Sequence, residues 1–544
     1  MSKAPILILA LQRTSTSTRY KALIWLLTFF TYTSYHLSRR PITIVKNALH
    51  KNCIFNISMT ALGNETYMNE TKQFPACNDT SWIPFDHAHP YQDYFGALDV
   101  SYLAGYAVGM FFSGHIAERM NLRYFLSSGM MLSGLLTMAF GFGYSWNIHS
   151  LVYFIIVQIV CGLVQSTGWP GVVTCMGNWF GKGRRGVIMA IWNAHTSLGN
   201  ILGGLIAALF LKPYWEAHGY WMWSFFYPGL IIMVMGIIVF LLLVPHPSDV
   251  NLPSTDSSQR RNFQQETAPL INDTEATKHA DYGTNEASPT QTQSDEEEAS
   301  GSLLQSSRSN RSSLSSEGEK AISFINALKI PGVVEFALCL FFAKLVSYTF
   351  LYWLPEYIKQ EMTEHVTLDD PDSTAGLLST LVDVGGIFGG IFAGSLADAS
   401  KSSALTCSIM LVLSIPMMVL YKIFGSLSMS NAVGLLLATG FLVNGPYCLI
   451  TTSVSADLGT HPSLSSNAKA LATVTAIIDG TGSIGAAIGP GITAIIEGTN
   501  KLTAVKMDII FGILIGSNIF ALAMLSRLIY KEVREIRQRR RFSS

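Results

Sequence analysis

Two adjacent arginines stand inside an apolar stretch. Residues 23–45 are mostly aromatic, aliphatic or uncharged, and within them lies Tyr35-His36-Leu37-Ser38-Arg39-Arg40. A guanidinium keeps its charge at any ordinary pH. Placing one in a bilayer core costs roughly a few to more than ten kcal/mol. Such a cation either snorkels at a helix end or faces a polar cavity. In a cavity its chemistry is anion binding, because the guanidinium fork matches phosphate oxygens two at a time. On a continuous helix Arg40 points about 100° away from Arg39. It also lies nearer the interface, so the larger role is expected at Arg39. Further charges fall in apolar stretches, among them Lys344, Asp383 and Asp479. An ionisable group inside a membrane is a functional candidate by default. The two acids either balance Lys344, carry protons, or are structural.

The elements that hold these charges follow from composition. The chain has 544 residues, 49% of them hydrophobic and 13% charged. Soluble domains carry about 25% charged residues. The formal net charge is zero, so no basic field points to nucleic acid. A run of about 20 apolar residues spans a bilayer as a helix. Twelve such runs are expected, near 23–45, 94–116, 124–144, 150–178, 187–211, 221–244, 333–355, 373–397, 403–425, 431–455, 467–496 and 505–530. The expected class is an all-α membrane protein. Residues 1–21 hold Lys3, Arg13 and Arg19, and no cleavage pattern follows the short apolar run 5–11. A cytosolic N-terminus without a cleavable signal is therefore predicted.

The first loop, 46–92, carries Asn56, Asn64, Asn69 and Asn78, each in a glycosylation acceptor pattern. That pattern is read only on the lumenal side. Cys53 and Cys77 share the loop and are either a lumenal disulfide or two free thiols. The turns at 118–123 and 181–185 are basic and short, as cytosolic turns are.

Residues 245–325 are rich in Ser, Thr, Gln, Asn and Glu and read as a disordered cytosolic linker. They separate an N-terminal half, 22–244, from a C-terminal half, 326–530, each with six expected helices. The tail 531–544 is basic; it reads as a positive-inside anchor that can also contact anionic membrane lipids. Gly114-x-x-x-Glu118 ends the second helix and Gly394-x-x-x-Asp398 ends the eighth, its counterpart. Two parallel six-helix halves joined by a polar linker point to the major facilitator architecture. Glycine spacing in the eighth helix (Gly385, Gly389) and the eleventh (Gly485, Gly489) reads as close helix packing.

These residues carry a resemblance. The chain resembles the organophosphate:phosphate antiporters of the major facilitator superfamily, and within them the vertebrate sugar-phosphate exchanger branch. The likeness rests on Tyr35-x-x-x-Arg39-Arg40, Gly114-x-x-x-Glu118-Arg119 and Arg185-Gly186-x5-Trp192-Asn193. It continues through Trp353-x-Pro355 and Gly440-Phe441-Leu442-x-x-Gly445-Pro446. It covers nearly everything except 46–92 and 245–325.

The resemblance implies that one first-helix arginine and one seventh-helix cation hold phosphate. Arg39 matches the first. Lys344 is the only basic residue within the seventh helix, but it stands nine residues before Trp353, where the family pattern has six. Ser347 occupies the family position. Three residues are about 4.5 Å along a helix and about 60° short of a turn, so Lys344 remains the expected second cation. Tyr35 and Tyr106 match family positions, and Tyr106 is expected to hydrogen-bond phosphate. The bacterial members' fifth-helix histidine is displaced: Thr196 takes its place, and His195 either lines the cavity or packs. A family lysine is replaced by Met110.

The implied activity is antiport of glucose 6-phosphate against inorganic phosphate, with no cofactor. No nucleophile, base and metal-ligand set argues for an enzyme. A proton-coupled organic-anion carrier and a non-transporting sensor on the same fold are the alternatives. The resemblance implies the endoplasmic reticulum membrane. Glu266-Thr267-Ala268-Pro269-Leu270-Ile271 fits an acidic dileucine-type signal and offers an endolysosomal alternative.

Overall fold

The computed structural model describes residues 17–49, 91–180, 185–210, 220–252, 320–365, 371–460, 468–499 and 502–543. The four acceptor asparagines, Cys53, Cys77 and the 266–271 signal lie outside the described residues.

Among the described residues twelve long helices are present: Ser17–Arg39, Tyr91–Ala117, Leu122–Ser145, Leu151–Trp179, Arg185–Phe210, Tyr220–Leu242, Val333–His365, Pro371–Ser400, Ser403–Phe424, Met429–Leu458, Leu471–Glu497 and Thr503–Ser543, referred to below as spans 1 to 12. A helix satisfies its own backbone groups, which is what a bilayer demands. Ten of the twelve are long and apolar enough to cross a membrane by length and composition alone. The exceptions are the first and fifth, which carry His36, Ser38, Arg39, Asn193, His195 and Asn200 among their apolar residues. Beyond helices, the described residues hold one parallel two-residue pair, Lys320–Ala321 with Ala468–Lys469.

The halves repeat one packing scheme. In the first, span 1 lies on 5, span 2 on 4 and span 3 on 6; in the second, span 7 lies on 11, span 8 on 10 and span 9 on 12. Spans 2 and 11 pack across the divide, as do 5 and 8. Glycine permits the closest approaches. A Cβ on Gly485 would stand 1.9 Å from the Phe341 carbonyl oxygen of span 7. On Gly512 it would meet nothing within 4 Å. Gly485→Ala is therefore expected to cost about 1–3 kcal/mol through overpacking. Thermal unfolding in detergent, with Gly512→Ala as control, checks this; equal midpoints for the two variants would remove the packing argument.

Each half also caps the other. Glu118 Oε1, at the end of span 2, accepts from the Thr473 N–H at the start of span 11 (2.9 Å). Asp398 Oδ2, at the end of span 8, accepts from the Val187 N–H at the start of span 5 (2.9 Å). The first turn of a helix has N–H groups with no intrahelical partner and a partial positive charge. The two Gly-x-x-x-acid motifs thus tie the halves together at the predicted cytosolic face.

Several boundaries differ from the sequence expectation, among them the seventh helix, which runs on to His365, and the linker's end, where Lys320–Ala321 and Phe324–Leu328 are structured. The last helix does not stop near 530 but runs to Ser543. Glu532 explains part of this: its carboxylate accepts from the Ala404 and Leu405 N–H groups (3.0 and 2.8 Å) and caps span 9. The linker's first residues are also structured. Pro247–Val250 form a 3-10 turn with Pro247 and Val250 buried, below Trp179 Nε1, which donates to the Val244 carbonyl (2.8 Å).

Candidate functional site

Local breaks in the helices aim the polar side chains. Span 4 is interrupted between Leu151–Gln165 and Gly168–Trp179. Pro170 has no N–H and cannot bond the carbonyl four residues back, that of Ser166. Ser113 Oγ donates to that carbonyl instead (3.0 Å). Gln165 sits at the break. Its Oε1 accepts from Arg39 Nε (2.7 Å) and from the Tyr102 hydroxyl (2.6 Å), and its Nε2 donates to Ser38 Oγ (3.1 Å).

Arg39 is thereby pointed between the halves. Its guanidinium carbon lies 4.6 Å from the Tyr106 ring centre, 5.6 Å from Tyr32 and 6.0 Å from Tyr35 and Tyr102. Aromatic faces stabilise a desolvated cation. No carboxylate lies within ion-pair distance of it among the described residues. Its Nη2 is buried with no hydrogen-bond partner among the described residues. Arg39 is a fixed positive charge with donors to spare.

Lys344 is the opposite case. It is 2% exposed, and its Nζ donates to Asp479 Oδ1 at 2.6 Å and to Ser483 Oγ at 3.3 Å. The rings of Tyr447 and Tyr348 stand 5.5 and 5.8 Å away. Asp479, not Asp383, is therefore the counter-charge of Lys344. The cations are linked across the divide: the Tyr106 hydroxyl, beside Arg39, is 3.5 Å from Asp479 Oδ2 and 3.1 Å from the Tyr32 hydroxyl.

Arg40 is not at the interface. It is 3% exposed, and its Nη1 donates to the Leu351 carbonyl of span 7 at 2.5 Å. Nη2 reaches Ser379 Oγ of span 8 at 3.5 Å. The cause is Pro41. It starts a separate helix, Pro41–Leu49, and a residue before proline is pushed out of helical geometry. The 100° step from Arg39 therefore does not apply. Asp383 belongs to this neighbourhood: its Oδ1 accepts from Asn200 Nδ2 (3.1 Å), and Asn200 Oδ1 contacts His36 Nδ1 (3.2 Å).

His195 is fully buried and boxed by rings, with Trp192 at 4.4 Å, Tyr32 at 5.0 Å and Phe29 at 5.9 Å. It packs within the first half, whereas Thr196 lines a cavity of about 650 Å³ between the halves. Tyr35 is also fully buried, with its ring packed against Gly168 and its hydroxyl 3.5 Å from Thr167 Oγ1. Met110 is buried at the approach of span 2 to Gly480.

Two cavities meet at the centre. One contains Arg39, Arg40, Tyr102 and Tyr106. The other, with Thr196, also contains Asn193, Ser347, Asp383 and Asn444. His36, Asn200, Tyr348 and Leu351 line both. Sequence reasoning missed Asp99, which is fully buried and lines a third small cavity with Ser38, Arg39 and Gln165. The rule that singled out Asp383 applies equally to Asp99. Gln165 and Asn200 carried no charge to draw attention.

The sequence pattern described as Major Facilitator Superfamily matches residues 54–490. The chain belongs to that superfamily. Its six-plus-six organisation, the paired Gly-x-x-x-acid ends and the central cavity are the superfamily's architecture in this chain. A solved superfamily member, the proton:xylose symporter XylE bound to 6-bromo-6-deoxy-D-glucose, superposes with a TM-score of 0.56, covering 94% of this chain and 96% of that one. At 12% identity it supports the fold alone. Among curated relatives, the glucose-6-phosphate exchanger SLC37A2 of Xenopus laevis is 47% identical over 98% of this chain and 97% of its own length. The human protein of that name is 48% identical over 94% and 93%. The human glucose-6-phosphate exchanger SLC37A1 is 45% identical over 94% and 93%. The superfamily member described here is a multi-pass membrane transporter, not an enzyme.

Proposed function

We propose that the protein exchanges sugar phosphate, glucose 6-phosphate above all, for inorganic phosphate by alternating access. Arg39 carries this reading: a half-buried guanidinium with an unused donor, facing a cavity shared by both halves. A phosphate monoester bears about −1.5 to −2 charges near neutral pH and accepts bidentate hydrogen bonds from arginine. Bound between Arg39 and Lys344, it draws the halves together. The emptied site leaves Arg39 unneutralised in a low-dielectric cavity, which disfavours reorientation without an anion and so favours exchange over uniport. The names of the relatives, glucose-6-phosphate exchangers, support the organic substrate.

Counterflow in proteoliposomes tests the reading. Labelled phosphate trapped inside should leave when external glucose 6-phosphate is added and stay when glucose is added. Efflux that ignores external phosphate esters would end it.

The membrane we propose is that of the endoplasmic reticulum, which the resemblance to the vertebrate branch and the acceptor sites in 46–92 support. Glycosylation at Asn56, Asn64, Asn69 or Asn78 predicts a gain in gel mobility after endoglycosidase treatment. No shift with all four asparagines intact would overturn a lumenal first loop.

A further inference from the structure

The second cavity differs in character from the first. Its polar lining is amide and hydroxyl side chains, among them Asn193, Ser197 and Asn200 of span 5, Ser347 of span 7 and Asn444 of span 10, set between apolar ones such as Phe350, Val382 and Ile387. Among its lining residues Asp383 is the only carboxylate, and no lysine or arginine appears. Ser347 Oγ donates to Asn444 Oδ1 (2.6 Å), and Asn444 Nδ2 donates to the Val382 carbonyl (3.3 Å). Those bonds leave the Ser347 oxygen's lone pairs and the second Asn444 amide hydrogen for another partner. Through Asn200 and Tyr348 the wall is continuous with the lobe that holds Arg39.

We propose that this second lobe is the subsite for the hydroxylated ring of the sugar phosphate, with Ser347, Asn444 and Asp383 as its specificity-determining contacts. This assignment rests on the exchange proposed above. Sugar hydroxyls both donate and accept, as amides and serine hydroxyls do, and a carboxylate accepts from two adjacent hydroxyls at once. Inorganic phosphate has no ring to place there. The lobe therefore separates two properties of one carrier: the Arg39 end sets affinity for the phosphate head, and the Ser347–Asn444 end selects which organic ester follows it.

The experiment compares two half-saturating concentrations in the same proteoliposomes, inorganic phosphate and glucose 6-phosphate, each driving efflux of labelled phosphate. In Asn444→Ala and, separately, in Ser347→Ala, the ratio of the glucose 6-phosphate value to the phosphate value should rise about tenfold, the loss of one well-placed hydrogen bond. Ser347→Ala removes a single oxygen and keeps the helix intact, so it stands if Asn444→Ala fails to assemble. A ratio that stays at its wild-type value in Ser347→Ala, whether both affinities fall together or neither moves, overturns the assignment. Failure of the exchange reading itself is distinct: wild-type vesicles would then show no efflux driven by either substrate.

Discussion

Replacing Arg39 with alanine should lower phosphate counterflow by roughly 10²- to 10⁴-fold while leaving a folded, monodisperse protein. The range follows from losing two charge-assisted hydrogen bonds to the anion, each worth about 1.5–3 kcal/mol, at about 1.4 kcal/mol per tenfold. Folding should survive because, among the described residues, Arg39 has no buried carboxylate to orphan. What it leaves behind are Gln165 and four tyrosine rings. Gln165 keeps the Tyr102 hydroxyl as a partner for its Oε1. Arg39→Lys should fall between, since lysine keeps the charge and loses the planar fork. Near wild-type counterflow in Arg39→Ala would remove the phosphate role and with it the main support of the proposed function.

The second large effect concerns Lys344 and Asp479, a 2.6 Å pair with both side chains buried. Removing one partner strands the other charge, at a cost of about 3–5 kcal/mol. Lys344→Ala and Asp479→Ala should each lower stability and abolish exchange. The double variant has no stranded charge and should recover the unfolding midpoint. It should not recover exchange, because phosphate then has one cation instead of two. On the proposed reading, Asp479 holds Lys344 until an anion competes for it, so the carboxylate acts as an internal stand-in for substrate. Counterflow restored in the double variant would reduce Lys344 to a partner for Asp479 and end its binding role.

The fold was legible because bilayer physics reads directly in sequence: apolar runs of spanning length, polar linkers, and a charge that has no reason to be in a span. Arg39 stood out on that ground, and Lys344 and Asp479 did too. Arg40 was misread because a constant helical turn was assumed across Pro41, where the chain starts a new helix. Lys344 looked misplaced against the family pattern. In the structure Lys344 meets Asp479 in span 11, while Ser347, three residues on, meets Asn444 in span 10. Adjacent faces of one helix serve different neighbours, and sequence spacing alone does not say which face meets which. Gln165 and Asn200 were invisible for a simpler reason. Neutral amides barely perturb an apolar pattern, yet each joins two helices here. Asp99 was visible in principle and overlooked.

The crossed caps of Glu118 and Asp398 bear on how often the carrier rests facing each side. Each acid belongs to one half and neutralises a helix start in the other, so the predicted cytosolic face cannot part without exposing both starts together. A charge at a helix terminus is worth about 0.3–2 kcal/mol, which makes the two together a bias of roughly threefold to several hundredfold toward closure on that face. That bias is independent of the substrate. It sets the fraction of carriers open to the other side before any sugar phosphate arrives, and a ligand's apparent affinity scales with that fraction. A carboxylate far from the cavity thus tunes the apparent affinity measured on each side of the membrane, in opposite directions, without touching the transported molecule.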